Sequence, residues 1–243
     1  MDSFEPERLA LAVLIGAIAG VIRGITGFGG AMVMAPPLVL LLGPKLAVPV
    51  VLLLESLAAA PQVLQTRSLV RWRVVGPILA ATALTVPLGG YLLLTTDALT
   101  LRRATALIVI VFSALLLYGW RYAGSHKMST GIALGGLAGG MLGATSIGGP
   151  PVILYLLAGP DRIDVTRANL TLFVAGSCIV GLMMLATQGI LDLGAAWTAL
   201  WLAPGYYGGL VVGTRLFSRF NDARFRQFTL VLMMAVSAGI LFA

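Results

Sequence analysis

Gly24-Ile-Thr-Gly-Phe-Gly-Gly30 interrupts an apolar segment near the start of the chain, and Gly143-Ala-Thr-Ser-Ile-Gly-Gly149 echoes it in the second half. Four glycines in the first seven-residue stretch make a poor helix interior, since each costs about 1 kcal/mol against alanine. Apolar sequence of helical character lies on both sides, at Leu9–Ile22 and Ala31–Leu42. The reading is a helix broken inside a membrane. Backbone freed at that depth must be buried in protein or line a wet cavity, because lipid offers it no hydrogen bonds. Paired interruptions at corresponding places in two halves point to a transporter's binding site.

The composition agrees. Of 243 residues, 59% are hydrophobic and 10% charged, and a soluble domain of this size could not hide so much apolar side chain. Thirty glycines suit closely packed membrane helices. The net charge of +7 does not indicate nucleic-acid binding, because the basic residues sit in short loops between apolar spans. Cys178, the single cysteine, excludes an intrachain disulfide and reads as a small packed residue. The acidic Asp2, Glu5 and Glu7 have the wrong sign for a signal peptide, so Leu9–Ile22 reads as a retained membrane segment.

The fold class expected is an all-α polytopic membrane protein. Its spans are Leu9–Arg23, Ala31–Leu42, Leu46–Thr66, Val74–Thr95 and Arg103–Trp120, then Ser129–Leu142, Pro150–Ala158, Thr166–Gln188, Gly194–Thr214 and Phe225–Ala243. Those flanking the breaks fall short of the roughly 20 residues of a full crossing. They suit half-helices or a re-entrant hairpin. Gly16–Gly30 set against Gly135–Gly149 gives seven identities in fifteen, among them Gly16/Gly135, Gly20/Gly139, Gly24/Gly143 and Thr26/Thr145. Gly43-Pro44 repeats as Gly159-Pro160, and Gly89-Gly90 as Gly208-Gly209. The chain thus divides into repeats at 1–122 and 123–243, each a broken or re-entrant pair plus three transmembrane helices, forming one integral transport domain.

An odd number of segments per half inverts the second repeat in the membrane. Alternate loops carry eleven lysines and arginines (Arg67 to Arg73, Arg121 and Lys127, Arg162 and Arg167, Arg215 to Arg226), and the other connections carry four. The richer set belongs in the cytoplasm, which places both termini outside. Counting each interrupted pair as one crossing would make the repeat parallel.

These motifs, with the ending Tyr207-Gly-Gly-Leu-Val-Val-Gly-Thr-Arg215, resemble the TauE/SafE sulfite-exporter family of bacterial membrane transporters over nearly the whole chain. The resemblance implies a bacterial inner-membrane protein that moves sulfite, sulfoacetate or another organosulfonate, with export the direction expected from the family's name. The anion class comes from that resemblance and not from composition or spacing.

The breaks carry the first site candidates. Helices starting after Gly30 and Gly149 would aim free backbone N–H groups and the positive dipole end at a ligand. Thr26, Gly27, Phe28, Gly29 and Gly30 are the candidates in the first break, with Thr145, Ser146, Ile147, Gly148 and Gly149 in the second. The competing reading is tight helix packing, with glycines as spacers. Arg23, at the lip of the first break, either binds the anion through its planar fork or snorkels to the headgroups. Glu55 is the one carboxylate inside an apolar span, a candidate for proton coupling or a structural partner of an arginine. Gln62 and Asn169 are weaker polar candidates, for gating and for substrate respectively.

No metal-ligand cluster, catalytic triad or nucleotide motif is evident, so neither a cofactor nor a metal is expected. The expected function is a secondary transporter working by alternating access, driven by an ion gradient such as protons, with a small anion and the lipid bilayer as partners. A passive anion channel on the same scaffold is the alternative, an integral-membrane enzyme the remote one, and homo-oligomerisation stays open.

Overall fold

A computed structural model of the chain describes residues 6–26, 29–119, 127–159, 161–217 and 222–242. The helices follow the expected order: α1 (Pro6–Thr26), α2 (Gly30–Leu42), α3 (Pro44–Thr66), α4 (Trp72–Thr95), α5 (Ala98–Leu117), α6 (Met128–Thr145), α7 (Gly149–Leu157), α8 (Ile163–Thr187), α9 (Leu193–Phe217) and α10 (Asp222–Phe242). The described residues contain no strand. Helices α1, α3, α4, α5 and α8 are long and apolar enough to cross a membrane.

The breaks are narrower than the glycine pattern suggests. Helix α1 runs through Gly24 to Thr26, and α6 runs through Gly143 to Thr145. With 21 and 18 residues, α1 and α6 are not half-helices. The short members are α2, with 13 residues, and α7, with 9. Gly24 and Gly143 stay helical because each faces another backbone. A Cβ on Gly24 would sit 2.5 Å from Leu210 O, and one on Gly143 would collide with Val86 O. At the other end of the first half, α5 begins at Ala98 and not at Arg103. Asp97 caps it, its carboxylate accepting the Thr100 N–H at 2.9 Å. Hydrogen bonds from Thr100, from its side chain first and then its backbone, hold the Asp97 carboxyl below its ordinary value.

Small residues set the two closest helix pairs. On α1, Gly16, Gly20 and Gly24 face Leu202, Tyr206 and Leu210 of α9 in turn, while Gly209 and Gly213 of α9 face Ala17 and Val21. On α6, Gly135, Gly139 and Gly143 face Ile78, Thr82 and Val86 of α4. Residue numbers rise together in both pairs, so each pair is parallel. Glycine at every fourth position lets backbones approach closely, the packing that membrane helices use without a hydrophobic drive between them. Across the second seam Thr82 Oγ1 donates to Gly135 O at 2.9 Å and Thr85 Oγ1 to Gly136 O at 2.7 Å.

The remaining directions follow from named contacts. Leu52 of α3 lies beside Gly181 of α8, whereas Arg71, just beyond α3, bonds Asn169 near the start of α8. Helices α3 and α8 are therefore antiparallel. The short connection 188–192 reverses the chain again, so α9, and with it α1, runs parallel to α3. Helix α2 runs the other way. Gly30 at its start stands beside Glu55, midway along α3, and its end meets the start of α3 through Gly43 alone. Gly43 has φ 80°, a turn that glycine takes without strain. Thus α1 and α2 form a helical hairpin whose tip lies at mid-height of α3. Exchanging each helix for its counterpart five places on leaves the main pairings, α1 with α9, α4 with α6, α3 with α8 and α5 with α10, unchanged.

Candidate functional site

The polar residues of the interior meet at the tip of that hairpin. Arg23 occupies the last turn of α1, Glu55 the middle of α3, Tyr206 the middle of α9 and Gly30 the start of α2. Arg23 Nη1 is ion-paired with Glu55 Oε2, and the two side chains are 3% and 4% exposed. Such enclosure rules out the snorkelling arginine. Tyr206 Oη donates to the other carboxylate oxygen, Glu55 Oε1, at 2.6 Å. Tyr207 Oη donates to Leu54 O at 3.2 Å, and its ring stands edge-on to that of Tyr206 with centroids 5.5 Å apart.

The absence of a side chain at Gly30 makes room for this cluster. A Cβ there would lie 2.9 Å from Tyr206 Oη and 3.3 Å from Arg23 Cδ, and would collide with Glu55 Oε1. Gly29 before it has φ 86°, a left-handed conformation that L residues rarely adopt, and open space toward Met233 Cε at 3.9 Å. One donor is left over. Arg23 Nε is buried with no hydrogen-bond partner. A buried N–H of a cation without an acceptor is costly, so it marks a place where an acceptor would be welcomed.

The other expected site residues lie as follows. Thr26 ends α1, and its side chain, with Gly27 and Phe28, lies outside the described residues. In the second break, Thr145 Oγ1 donates to Met141 O at 2.8 Å and accepts the Ile147 N–H at 3.3 Å. Ser146, with φ 61°, donates to Thr145 O. These hydroxyls are thus engaged within their own turn. Ile147 is 1% exposed and packs in the apolar cluster that also holds Met34, Leu54 and Tyr206. Gly148 is a packing position, since a Cβ there would stand 2.6 Å from Ala138 O and 2.7 Å from Leu142 Cβ. Gly149 opens α7, but Pro150 and Pro151 follow and carry no N–H. The second helix start therefore offers fewer donors than the first.

Asn169 belongs to another place. Its Oδ1 accepts the Arg71 N–H at 2.8 Å at the start of α4, and its Nδ2 is buried without a partner. It lines a cavity of about 150 Å³ with Arg71, Met128, Tyr155 and Asp161. Arg71 and Asp161 are ion-paired across the mouth. This contact and the Tyr155 Oη to Lys127 O bond of 3.1 Å gather three arginine- or lysine-bearing connections at one end of the helices. Gln62, two turns beyond Glu55 on α3, is half-buried and is bonded in the structure through its carbonyl, which accepts from Thr66 Oγ1 at 2.8 Å. Among the described residues no group of three or more His, Cys, Asp or Glu could hold a metal ion.

Sequence reasoning paired neither Arg23 with Glu55 nor either with Tyr206. The signal for Tyr206 was present: a hydroxyl in the middle of an apolar span, just before the Gly208-Gly209 pair that recurs in both halves.

The sequence model of the family described as Sulfite exporter TauE/SafE matches residues 12–240. No curated protein and no solved structure matches the chain.

Proposed function

The chain belongs to the TauE/SafE sulfite exporter family, a family of membrane transporters, and on that premise we propose that it is a secondary transporter of a small sulfur-containing anion. Sulfite, sulfoacetate or another organosulfonate binds at the tip of the α1–α2 hairpin and crosses by alternating access. The observation that carries this reading is Arg23, fully enclosed at the break with Nε unpartnered. A guanidinium presents a planar fork that suits the oxygens of a sulfonate as it suits those of carboxylate or phosphate. The backbone N–H groups that open α2 lie beside it, free of intrahelical partners and at the positive end of the helix dipole.

The frame for alternating access is a pair of inverted repeats, 1–122 and 123–243. Two observations support this: helix pairing unchanged on exchange of the halves, and antiparallel α3 and α8. In a parallel repeat those counterpart helices would run the same way. The arginine-rich connections at one end face the cytoplasm of a bacterial inner membrane, and both termini lie outside.

The test is flux in proteoliposomes with labelled sulfite, sulfoacetate and taurine. Saturable counterflow of one of them is expected. Currents resolvable from single proteins would instead indicate a passive channel, and no movement of any of the three under an imposed gradient would remove the substrate assignment.

A further inference from the structure

We propose that Glu55 is an internal competitor for the anion at Arg23, so that the transported anion and one proton bind together and the protein is an electroneutral proton–anion symporter. The proposal rests on the anion site assigned above and names its driving ion and stoichiometry. Arg23 Nη1 is held by Glu55 Oε2, while Nε of the same guanidinium has no partner. A sulfonate held by Nε and the adjacent Nη2 would put a second anion on a guanidinium that the Glu55 carboxylate already neutralises through Nη1. Two anions on one buried cation repel, and the conflict ends when Glu55 takes up a proton. The neutral acid then gives up Arg23 and can donate its own O–H to a sulfonate oxygen. The step breaks no covalent bond: one proton moves from water to a Glu55 oxygen, and one anion replaces the carboxylate on the guanidinium.

Charge bookkeeping makes the coupling tight. The empty site holds Arg23 and the Glu55 carboxylate and is neutral. The loaded site holds Arg23, protonated Glu55 and a monoanion, and is also neutral. A site with the proton alone is left with a net positive charge, and one with the anion alone with a net negative charge. An uncompensated charge enclosed among apolar side chains is strongly disfavoured. Among the described residues the surroundings offer no substitute charge. From the elements packed around Glu55 the titratable or charged groups facing it are Arg23 of α1 and Tyr206 of α9, with Tyr207 of α9 and Cys178 of α8 in the next layer. Helix α2 carries no ionisable residue.

Direction then follows the summed gradients. One pH unit across the membrane balances about a tenfold anion ratio. With the interior alkaline, net export requires an internal anion excess above that ratio.

The experiment uses purified full-length protein and methanesulfonate, a strong-acid monoanion that does not itself titrate. Proton uptake from weakly buffered solution and anion affinity are measured over about pH 5–9, a window that brackets carboxylate titration in buried sites. Above the pH at which Glu55 releases its proton, the parent should take up one proton per anion bound, and affinity should fall about tenfold per pH unit. Glu55→Gln should bind methanesulfonate with no proton uptake and no pH dependence. In proteoliposomes a pH gradient should drive uptake that an imposed membrane potential leaves unchanged. Binding by the parent with no proton uptake and a flat pH profile would overturn the symport and leave the anion site standing, whether or not Glu55→Gln folds. Absence of binding of methanesulfonate, sulfite and sulfoacetate at every pH would overturn the anion site itself.

Discussion

Replacing the Arg23–Glu55 pair one member at a time, and then together, separates what it does for the fold from what it does for transport. Both side chains are almost wholly enclosed. Removing one partner leaves the other charge buried and uncompensated, which costs about 3–5 kcal/mol. Arg23→Met and Glu55→Met should each lose stability on that scale. The Glu55 variant loses more, because Tyr206 Oη also loses the acceptor it holds at 2.6 Å, worth about 1–3 kcal/mol for an orphaned buried hydroxyl. In the double variant no charge remains, so its cost should fall to about the 1–3 kcal/mol of the Tyr206 hydroxyl, and an unbranched methionine fills the space adaptably. The double variant should therefore be more stable than Glu55→Met, with a coupling of several kcal/mol. Arg23→Met alone should regain part of its loss in acid, where the lone carboxyl can take a proton. The assay is reversible unfolding in mixed micelles followed by far-UV circular dichroism, with methanesulfonate binding measured on the same preparations. Additive losses, with the double variant the worst of the three, would refute the pair. A double variant that folds well and still binds the anion would move the site elsewhere.

Tyr206→Phe keeps the ring and removes the donor to the carboxylate. A hydrogen bond to a charged group contributes about 1.5–3 kcal/mol, so the pH profile of methanesulfonate affinity should move up by about one to two pH units with one proton per anion retained; an unmoved profile on folded protein would exclude a positioning role. Gly20→Val and Gly139→Val drive a side chain into Tyr206 O and Thr82 O respectively and should abolish monodisperse protein, whereas Gly208→Ala, with nothing within 4 Å, should purify like the parent. Gly29→Ala meets open space but must adopt φ near 86°, a strain of about 1–2 kcal/mol, so it should fold with altered flux; Gly148→Val, by contrast, reports packing against Ala138 O. In a Cys178→Ala background, cysteines placed at Leu69 and Asp161 should be labelled from the same side of the membrane, and one at Lys45 from the opposite side; labelling of Leu69 and Asp161 from opposite sides would reject the inverted repeat.

Much of the architecture was readable from residue order. Apolar runs separated by polar or glycine-bearing connections placed the helices of the described residues in the right order, because lipid permits few alternatives to a helix. Glycine misled at the breaks. Propensity counts Gly24 and Gly143 as helix breakers, but propensity is overridden where a bare backbone packs on another helix, as both do against α9 and α4. The same fact explains why the repeat signal was strong: the identities Gly16/Gly135, Gly20/Gly139 and Gly24/Gly143 are the two helix seams. Arg23 and Glu55 were each legible as misplaced charges in apolar sequence. Their meeting was not, since 32 positions and two chain reversals separate them. Asn169 was legible only as a weaker polar candidate for substrate; that its Oδ1 accepts the Arg71 N–H at the start of α4, near the ion pair of Arg71 and Asp161, is set by loop geometry that no local pattern encodes.

The two halves share their packing and not their polar chemistry. Where the first hairpin tip has Arg23, the second has Leu142, 2% exposed and packed against Leu52 of α3 in the cluster around Cys178. The counterpart of Glu55 is roughly Thr171, whose hydroxyl bonds to Arg167 O within its own helix, and Pro87 stands where Tyr206 would be. A carrier with one anion site needs only one buried pair, and a second would add the desolvation of two more charges without a second ligand to relieve it. Under the proposed alternating access, what is required of the apolar half is its geometry: a matching seam that would exchange roles with its twin as the site opens to each side. The seams differ in a way that fits that division. Both seams bring glycines from both helices against bare backbone, and the α4–α6 seam is tied in addition by Thr82 and Thr85 to the carbonyls of Gly135 and Gly136. Sliding along glycine-lined backbone sacrifices few directional bonds. The helix that carries Arg23 is therefore the one best placed to move relative to Glu55, and release of their ion pair by a proton and an anion is the event that would let it do so.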